Sequence, residues 1–125
     1  MRDGFVKVAA ATLNTKVADV EHNKWEIFRL IDETIENGAK IVVFPELCIT
    51  GYTCGDLFSQ DILLSQSAKA LEEIAAYTTG KDGLFFVGLP YVVCNKLYNV
   101  AAAVCDGEVI GMVTKTFLPN YSEFY

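Results

Sequence analysis

The sequence predicts an α/β layered fold with a mixed sheet, and two observations lead to this prediction. Short apolar runs rich in β-branched residues alternate with two longer segments of helical periodicity, which gives the order β-α-β-α-β. An Asp-Gly pair, Asp106-Gly107, then separates two further apolar runs, and such a pair is a strong hairpin signal. The length of 125 residues suits one domain.

The first three elements form a strand–helix–strand unit. Residues 5–13 are a short apolar run, predicted to be a strand buried on both faces. A helix is predicted over residues 19–37, with Asp19 as its N-cap and Gly38 just past its end. Residues 40–44 form the second strand, which is expected to run parallel to the first. The expected apolar stripe of the helix consists of Val20, Trp25, Phe28, Ile31 and Ile35.

The second half of the chain continues the pattern and ends in the hairpin. A second helix is predicted over residues 61–79, and a third buried strand over residues 84–89, closed by Pro90. The hairpin strands are residues 96–105 and 108–114. The expected stripe of the second helix consists of Leu64, Ala68, Leu71 and Ala75.

Composition and charge exclude several classes of function. Apolar residues make up 52% of the chain, so that a sizeable core can form. The net charge is −6 and the basic residues are scattered, which argues against nucleic acid or anionic membranes as partners. No apolar run reaches the length of a transmembrane helix. The first residues lack the pattern of a signal peptide, so a cytoplasmic location is expected.

The cysteines do not indicate a metal site. They stand at positions 48, 54, 94 and 105, none forms a Cys-x-x-Cys pair, and His22 is the single histidine. A zinc site is therefore not expected, and a disulfide framework is unusual in a cytosolic chain. Burial as small apolar side chains is the simplest reading of all four.

Two ionisable residues follow strand ends, where sites collect in open α/β sheets. Glu46 lies two residues past the second predicted strand, and Lys115 lies at the end of the last one. Position alone does not establish a site, because an ordinary loop carboxylate is the simpler reading of Glu46 and an ordinary surface lysine that of Lys115.

Glu46 ends the segment Phe44-Pro45-Glu46, and Lys115 is followed by an apolar segment that ends in Pro119. These surroundings resemble the nitrilase, or carbon–nitrogen hydrolase, superfamily. In that family a Phe-Pro-Glu segment presents the catalytic glutamate, and this chain has Phe44-Pro45-Glu46. Lys115-Thr116-Phe117-Leu118-Pro119 is similar to the lysine segment of the same family. Residues 51–58 and 118–125 are similar to one branch, the glutaminase domains of glutamine-dependent NAD synthetases. The resemblance runs from Val6 to Tyr125.

The resemblance implies a fold and a set of roles. Members form an α-β-β-α sandwich, of which residues 1–125 would be the N-terminal part, with helices on one face of a mixed sheet. Glu46 would be the general base and Lys115 the cation beside the developing oxyanion. Tyr52 and Tyr121 match positions that line the glutamine pocket, although core packing explains a tyrosine equally well. No cofactor or metal is expected for amide hydrolysis, whereas ATP and Mg²⁺ belong to a synthetase domain.

The third member of the family's triad, a nucleophilic cysteine, follows the lysine by some tens of residues, so it is expected beyond Tyr125. Cys48 is close to Glu46 in sequence but has apolar surroundings, and it is expected to be inert. The 125-residue chain by itself is therefore predicted to be inactive and, since half of a sandwich exposes a sheet face, to be a homo-oligomer. A stand-alone amidase or nitrilase and a non-catalytic α/β binding module remain the alternatives.

Overall fold

The computed structural model describes residues 4–51 and 61–115, which form one five-stranded mixed sheet and two helices. Strand order in the sheet follows the order in the chain. The first three strands are parallel, and the last two pair antiparallel with their predecessors. The elements are β1 Val8–Ala10, α1 Val20–Glu36, β2 Ile41–Val43, α2 Asp61–Tyr77, β3 Leu84–Val93, β4 Lys96–Cys105 and β5 Glu108–Thr114.

Both helices cover the same face of the sheet, as predicted. Val42, Phe85 and Val104 are in register on neighbouring strands and are completely buried with α1 and α2 in one core. Their sequence neighbours Val43 and Phe86, which point to the opposite face, are exposed or half-buried. The predicted α/β fold with helices on one face of a mixed sheet is confirmed.

Two tight turns build the antiparallel half of the sheet. Asp106-Gly107 joins β4 to β5 with φ values of +46° and +87°, as a type I′ turn requires, and the hairpin predicted there is confirmed. Cys94-Asn95 joins β3 to β4 with φ values of +50° and +64°. This second turn was not predicted, because Cys is not a typical residue for a left-handed position.

The ends of α1 agree with the prediction. The Asp19 carboxylate accepts a hydrogen bond from the backbone N–H of His22 at 3.0 Å and so caps the first turn. Gly38 follows the helix with a φ of +86°, which glycine adopts without strain.

The prediction for the first strand was wrong in length and burial. Only Val8–Ala10 pairs with β2, and Val8 and Ala10 are exposed. An edge strand has a neighbour on one side only, and the sheet face opposite the helices is open along β1. The apolar run of residues 5–13 is therefore not a sign that the strand is buried on both faces.

The third strand does not end at Pro90 but continues to Val93. β2 pairs with β3 only as far as Phe86, so Pro90 pairs with β4 alone. On that stretch one side of β3 has no neighbouring strand, and the missing N–H of proline is tolerated there.

The buried faces of both helices differ from the predicted stripes. Trp25 is 61% exposed, whereas Lys24 is only 5% exposed. The Lys24 ammonium lies 3.1 Å from Glu21 and 3.0 Å from Glu73, and these ion pairs allow its burial between the helices. On α2, Leu71 and Ala75 are buried as predicted, but Leu64 and Ala68 are only half-buried. The other buried residues of α2 are Leu63, Ser67, Ala70 and Ile74.

A β-bulge interrupts the β4–β5 pairing between Ala103 and Val104. Val104 pairs with Val109, whereas Ala103 pairs with Gly111, so that β5 contains one extra residue at this point. Beyond the bulge the pairing is regular as far as Val100 and Thr114.

Candidate active site

The segment that carries Glu46 follows β2 and is held tightly in the core. The backbone N–H of Phe44 still bonds the Phe86 carbonyl at 2.9 Å, after which the chain turns away from the sheet. Leu47 has a φ of +53°, unusual for leucine, and its side chain is buried. Cys48 and Ile49 are buried as well, whereas Glu46 is 40% exposed at its side chain. Glu46 is thus a charged group on a rigid support.

Gly88 of β3 allows this segment to pass directly over the strand. A Cβ atom at Gly88 would lie 2.5 Å from the backbone nitrogen of Leu47 and 2.9 Å from the carbonyl oxygen of Pro45. The Ile49 N–H also bonds the Gly88 carbonyl at 3.1 Å. Glycine is therefore required where the Glu46 segment and β3 are closest.

A buried asparagine of α1 fixes the other end of the segment. The Asn23 side chain donates to the Ile49 carbonyl at 2.9 Å. It also exchanges two hydrogen bonds, each of 2.8 Å, with the backbone N–H and carbonyl of Lys16. The helix, the loop before it and the Glu46 segment are thereby joined through one side chain.

Glu46 and Lys115, distant in the sequence, meet at the open face of the sheet. Lys115 Nζ lies 2.9 Å from Glu46 Oε1, and the two side chains are 41% and 40% exposed. Asn99 Nδ2 donates a hydrogen bond to the same Oε1 atom. The Lys115 backbone N–H bonds the Asn99 carbonyl at 2.9 Å, which places these two residues opposite each other on β4 and the end of β5.

These three residues line a cavity of about 310 Å³ on the face not covered by the helices. Its remaining wall is mostly apolar and includes Val43, Phe86 and Ala101. A carboxylate, an ammonium and an amide thus meet in a largely apolar cavity, which is the usual composition of a small-molecule site. The arrangement can accept a proton at Glu46 and stabilise negative charge at Lys115.

The described cysteines do not supply a nucleophile to this cavity. Burial raises the pKa of the Cys48 thiol to about 12, although hydrogen bonding to the Gly88 backbone opposes the shift. Cys94 is exposed in the β3–β4 turn. Cys105 lies at the far end of β4, about 20 Å from Asn99 at roughly 3.3 Å per residue. Cys54 lies outside the described residues, as do the predicted pocket residues Tyr52 and Tyr121.

Within residues 4–51 and 61–115, no group of three or more His, Cys, Asp and Glu side chains is arranged to hold a metal ion. In the same part of the chain, neither helix is long and apolar enough to cross a bilayer.

Asn99 was not predicted as a site residue. A signal was present, because Asn interrupts the apolar run of β4 and is disfavoured in strands. Asn99 is 8% exposed, and a buried amide needs a partner. No local pattern indicates which partner that would be.

Comparison with known proteins identifies the family to which this chain belongs. Residues 7–122 match the carbon–nitrogen hydrolase family. The chain is 43% identical over 120 residues to the glutamine-dependent NAD(+) synthetase of Aquifex aeolicus, covering 96% of this chain and 21% of that protein. It thus spans about a fifth of the length of this relative.

Solved structures agree with this assignment. The crystal structure of a glutamine-dependent NAD(+) synthetase from Cytophaga hutchinsonii superimposes with a TM-score of 0.86 at 36% identity, covering 92% of this chain and 20% of that one. An amidase from Nesterenkonia sp. shares the fold with a TM-score of 0.78 at 21% identity, covering 98% of this chain and 47% of that one. Because the family match spans nearly the whole sequence, the chain belongs to the carbon–nitrogen hydrolase family.

Proposed function

We propose that this chain contributes to glutamine amide hydrolysis, as the N-terminal part of a glutaminase domain within a longer enzyme. The ammonia released would serve the ATP-dependent amidation of deamido-NAD to NAD. The observation that carries the proposal is the contact of 2.9 Å between Glu46 and Lys115 in a cavity of about 310 Å³. It occurs in a chain that is 43% identical to a glutamine-dependent NAD(+) synthetase over 120 residues.

In the proposed reaction, Glu46 takes the proton of a cysteine thiol, and the resulting thiolate attacks the carboxamide carbon of glutamine. Lys115 stabilises the negative charge that develops on the carboxamide oxygen. The protonated Glu46 then gives its proton to the leaving nitrogen, the C–N bond breaks, and ammonia departs from a thioester. Water, activated by the same carboxylate, cleaves the thioester to glutamate and returns the proton to the thiol.

The proposal assigns the nucleophile to a cysteine outside residues 1–125. Cys48 is buried with a raised pKa, Cys94 is in the β3–β4 turn, and Cys105 is at the far end of β4 from Asn99. All four cysteines, including Cys54, precede Lys115, whereas the nucleophile of the family follows the lysine. We therefore expect residues 1–125 alone not to hydrolyse glutamine. Tyr52 and Tyr121 are proposed to line the glutamine pocket.

Other parts of the proposal concern cofactors, location and assembly. Amide hydrolysis by these groups needs no cofactor, whereas ATP and Mg²⁺ would be used by a synthetase domain beyond this region. A cytoplasmic location suits a reaction that consumes ATP and glutamine. Homo-oligomeric assembly is supported by the exposed apolar side chains of the open sheet face, such as Val43 and Val113.

The test uses the full-length product of the gene and replaces Glu46 with glutamine. Glu46→Gln keeps the size of the side chain and removes the base, so glutamine-dependent NAD synthesis should fall by about 100- to 10,000-fold. NAD synthesis from added ammonium chloride should stay unchanged, because it bypasses amide hydrolysis. Glu36→Gln, the same substitution at an exposed position in the last turn of α1, should leave both activities unchanged.

The same assay distinguishes the alternative functions. A stand-alone amidase would release ammonia from amides and form no NAD from deamido-NAD and ATP. A non-catalytic module would show neither activity, with or without Glu46→Gln. Either result would overturn the proposed function.

A further inference from the structure

Asn99 is a buried amide in the middle of a sheet, next to the two proposed catalytic groups. It is 8% exposed and is flanked on β4 by Tyr98 and Val100. Burying an amide is costly in free energy unless the amide is hydrogen-bonded. The hydrogen-bond partners of Asn99 therefore indicate its role. Its side chain donates to Glu46 Oε1, and its backbone carbonyl accepts from the Lys115 N–H at 2.9 Å.

The chemistry of the partner fixes which end of the amide faces Glu46. An ionised carboxylate only accepts hydrogen bonds, so the NH₂ group of Asn99 must point toward it. The side chains of Asn99 and Lys115 lie on the same face of the sheet, because the two residues oppose each other across β4 and β5. Asn99 therefore touches both proposed catalytic residues, one through its side chain and the other through its backbone.

Asn99 is the most rigid of the three groups. The side chains of Glu46 and Lys115 are each about two-fifths exposed, and both are long and flexible. Asn99 has a shorter side chain, is buried, and belongs to a strand paired on both sides. It is thus the member that can hold the others in place.

Both hydrogen bonds to the carboxylate use one oxygen. Asn99 Nδ2 and Lys115 Nζ both contact Oε1, and among the residues that the structure describes no contact engages Oε2. A carboxylate oxygen has two lone pairs, so Oε1 is fully occupied by these two donors. Oε2 is the atom left with capacity for a proton.

Resting on the function proposed above, we propose that Asn99 is a positioning residue that holds the Glu46 carboxylate by Oε1 and presents Oε2 to the thiol proton. Asn99 also couples Glu46 to Lys115, because the strand that carries the amide aligns the lysine backbone. Its contribution is to the rate of the chemical step and not to the binding of glutamine.

The test compares Asn99→Asp and Asn99→Ser with wild type in the full-length gene product. Asp places a second carboxylate against Glu46, and Ser is too short to reach it. Displacing the base by about 1 Å costs roughly 100-fold in rate, so kcat for glutamine hydrolysis should fall by that factor in Asn99→Asp. The KM for glutamine should stay within about threefold, the pattern for an interaction that serves the chemical step. For Asn99→Ser we expect kcat to fall by about tenfold or more. The loss is smaller than in Asn99→Asp, because a serine that does not reach Glu46 displaces the carboxylate less than a repelling carboxylate does.

NAD synthesis from added ammonium chloride should be unchanged, because it bypasses amide hydrolysis, and thermal unfolding followed by circular dichroism checks that each variant is folded. Asn95→Asp is the matched control. It is the same substitution four residues before Asn99, at an exposed position in the β3–β4 turn. If Asn99→Asp does not fold, Asn99→Ser, which is smaller and uncharged, provides the same comparison.

The positioning role is overturned if both variants keep kcat within about twofold of wild type, or if the loss appears only in KM. That failure is separate from failure of the proposed function. If Glu46→Gln abolishes glutamine hydrolysis while the Asn99 variants retain it, only the positioning role is wrong. If Glu46→Gln retains glutamine hydrolysis, the function itself is wrong.

Discussion

Replacing Gly88 with alanine tests whether the close crossing over β3 positions Glu46. The new Cβ would lie 2.5 Å from Leu47 N, 2.9 Å from Pro45 O and 3.1 Å from Glu46 C. All three are backbone atoms, so rotation of a side chain cannot relieve the overlap. The segment that carries Glu46 has to move.

The size of the movement follows from these distances. Ordinary contact with a Cβ begins at 3.4 Å, so the Leu47 nitrogen must move by about 0.9 Å. Overpacking of this kind costs about 1–3 kcal/mol of stability. A displacement near 1 Å at the base should lower kcat for glutamine hydrolysis by about 100-fold.

Gly111→Ala is the matched control. Gly111 belongs to β5 of the same sheet, and a Cβ there would meet nothing within 4 Å. An alanine in a strand loses less backbone entropy on folding than glycine, so this variant should be neutral or gain up to about 1 kcal/mol.

Urea denaturation gives the stability of both variants, and steady-state glutamine hydrolysis by the full-length gene product gives kcat. We expect Gly88→Ala to lose both stability and rate, and Gly111→Ala to keep both. Equal stability and equal kcat in the two variants would refute the claim that Gly88 is required for the position of Glu46.

Two further predictions concern buried groups around the same segment. Because burial raises the pKa of Cys48 to about 12, its thiol should stay protonated and resist iodoacetamide at pH 8, whereas exposed Cys94 should react. Peptide mass spectrometry measures this, and labelling of Cys48 at the rate of Cys94 in the native protein would contradict it. Asn23→Ala leaves three backbone groups without their partner, one of which, the Ile49 carbonyl, is buried, so the free energy of unfolding should fall by about 1–3 kcal/mol in urea titrations. Exposed Asn14→Ala should change it by less than about 0.5 kcal/mol, and equal losses in the two variants would count against a structural role for Asn23.

The local part of the fold could be predicted from the sequence. Helix caps, the Asp106-Gly107 turn and the parallel strand–helix–strand unit depend on neighbouring residues, and the structure contains all of them. The buried helix faces could not be predicted in the same way. Lys24 is buried because Glu73 of the other helix pairs with it, and no local pattern contains that information.

The residues of the candidate site were likewise predicted only in part. Glu46 and Lys115 were singled out because they follow strand ends, and the family resemblance assigned them to one site; the structure brings them to 2.9 Å. Their proposed roles remain predictions. Asn99 and Gly88 were not foreseen as parts of the site, because their importance depends on which strand crosses which segment. That information lies in the pairing of distant residues.

The β-bulge in β5 has a consequence for how the chain can vary in length. Side chains of a strand alternate between its two faces, so the extra residue beside Ala103 determines that Lys115 is opposite Asn99. If that residue were paired instead of bulged, Thr114 would be opposite Asn99, and the ammonium would point toward the helices. Loss of one residue from β5 can therefore be accommodated by closing the bulge, whereas a single inserted residue that enters the regular pairing reverses the face on which the lysine is displayed.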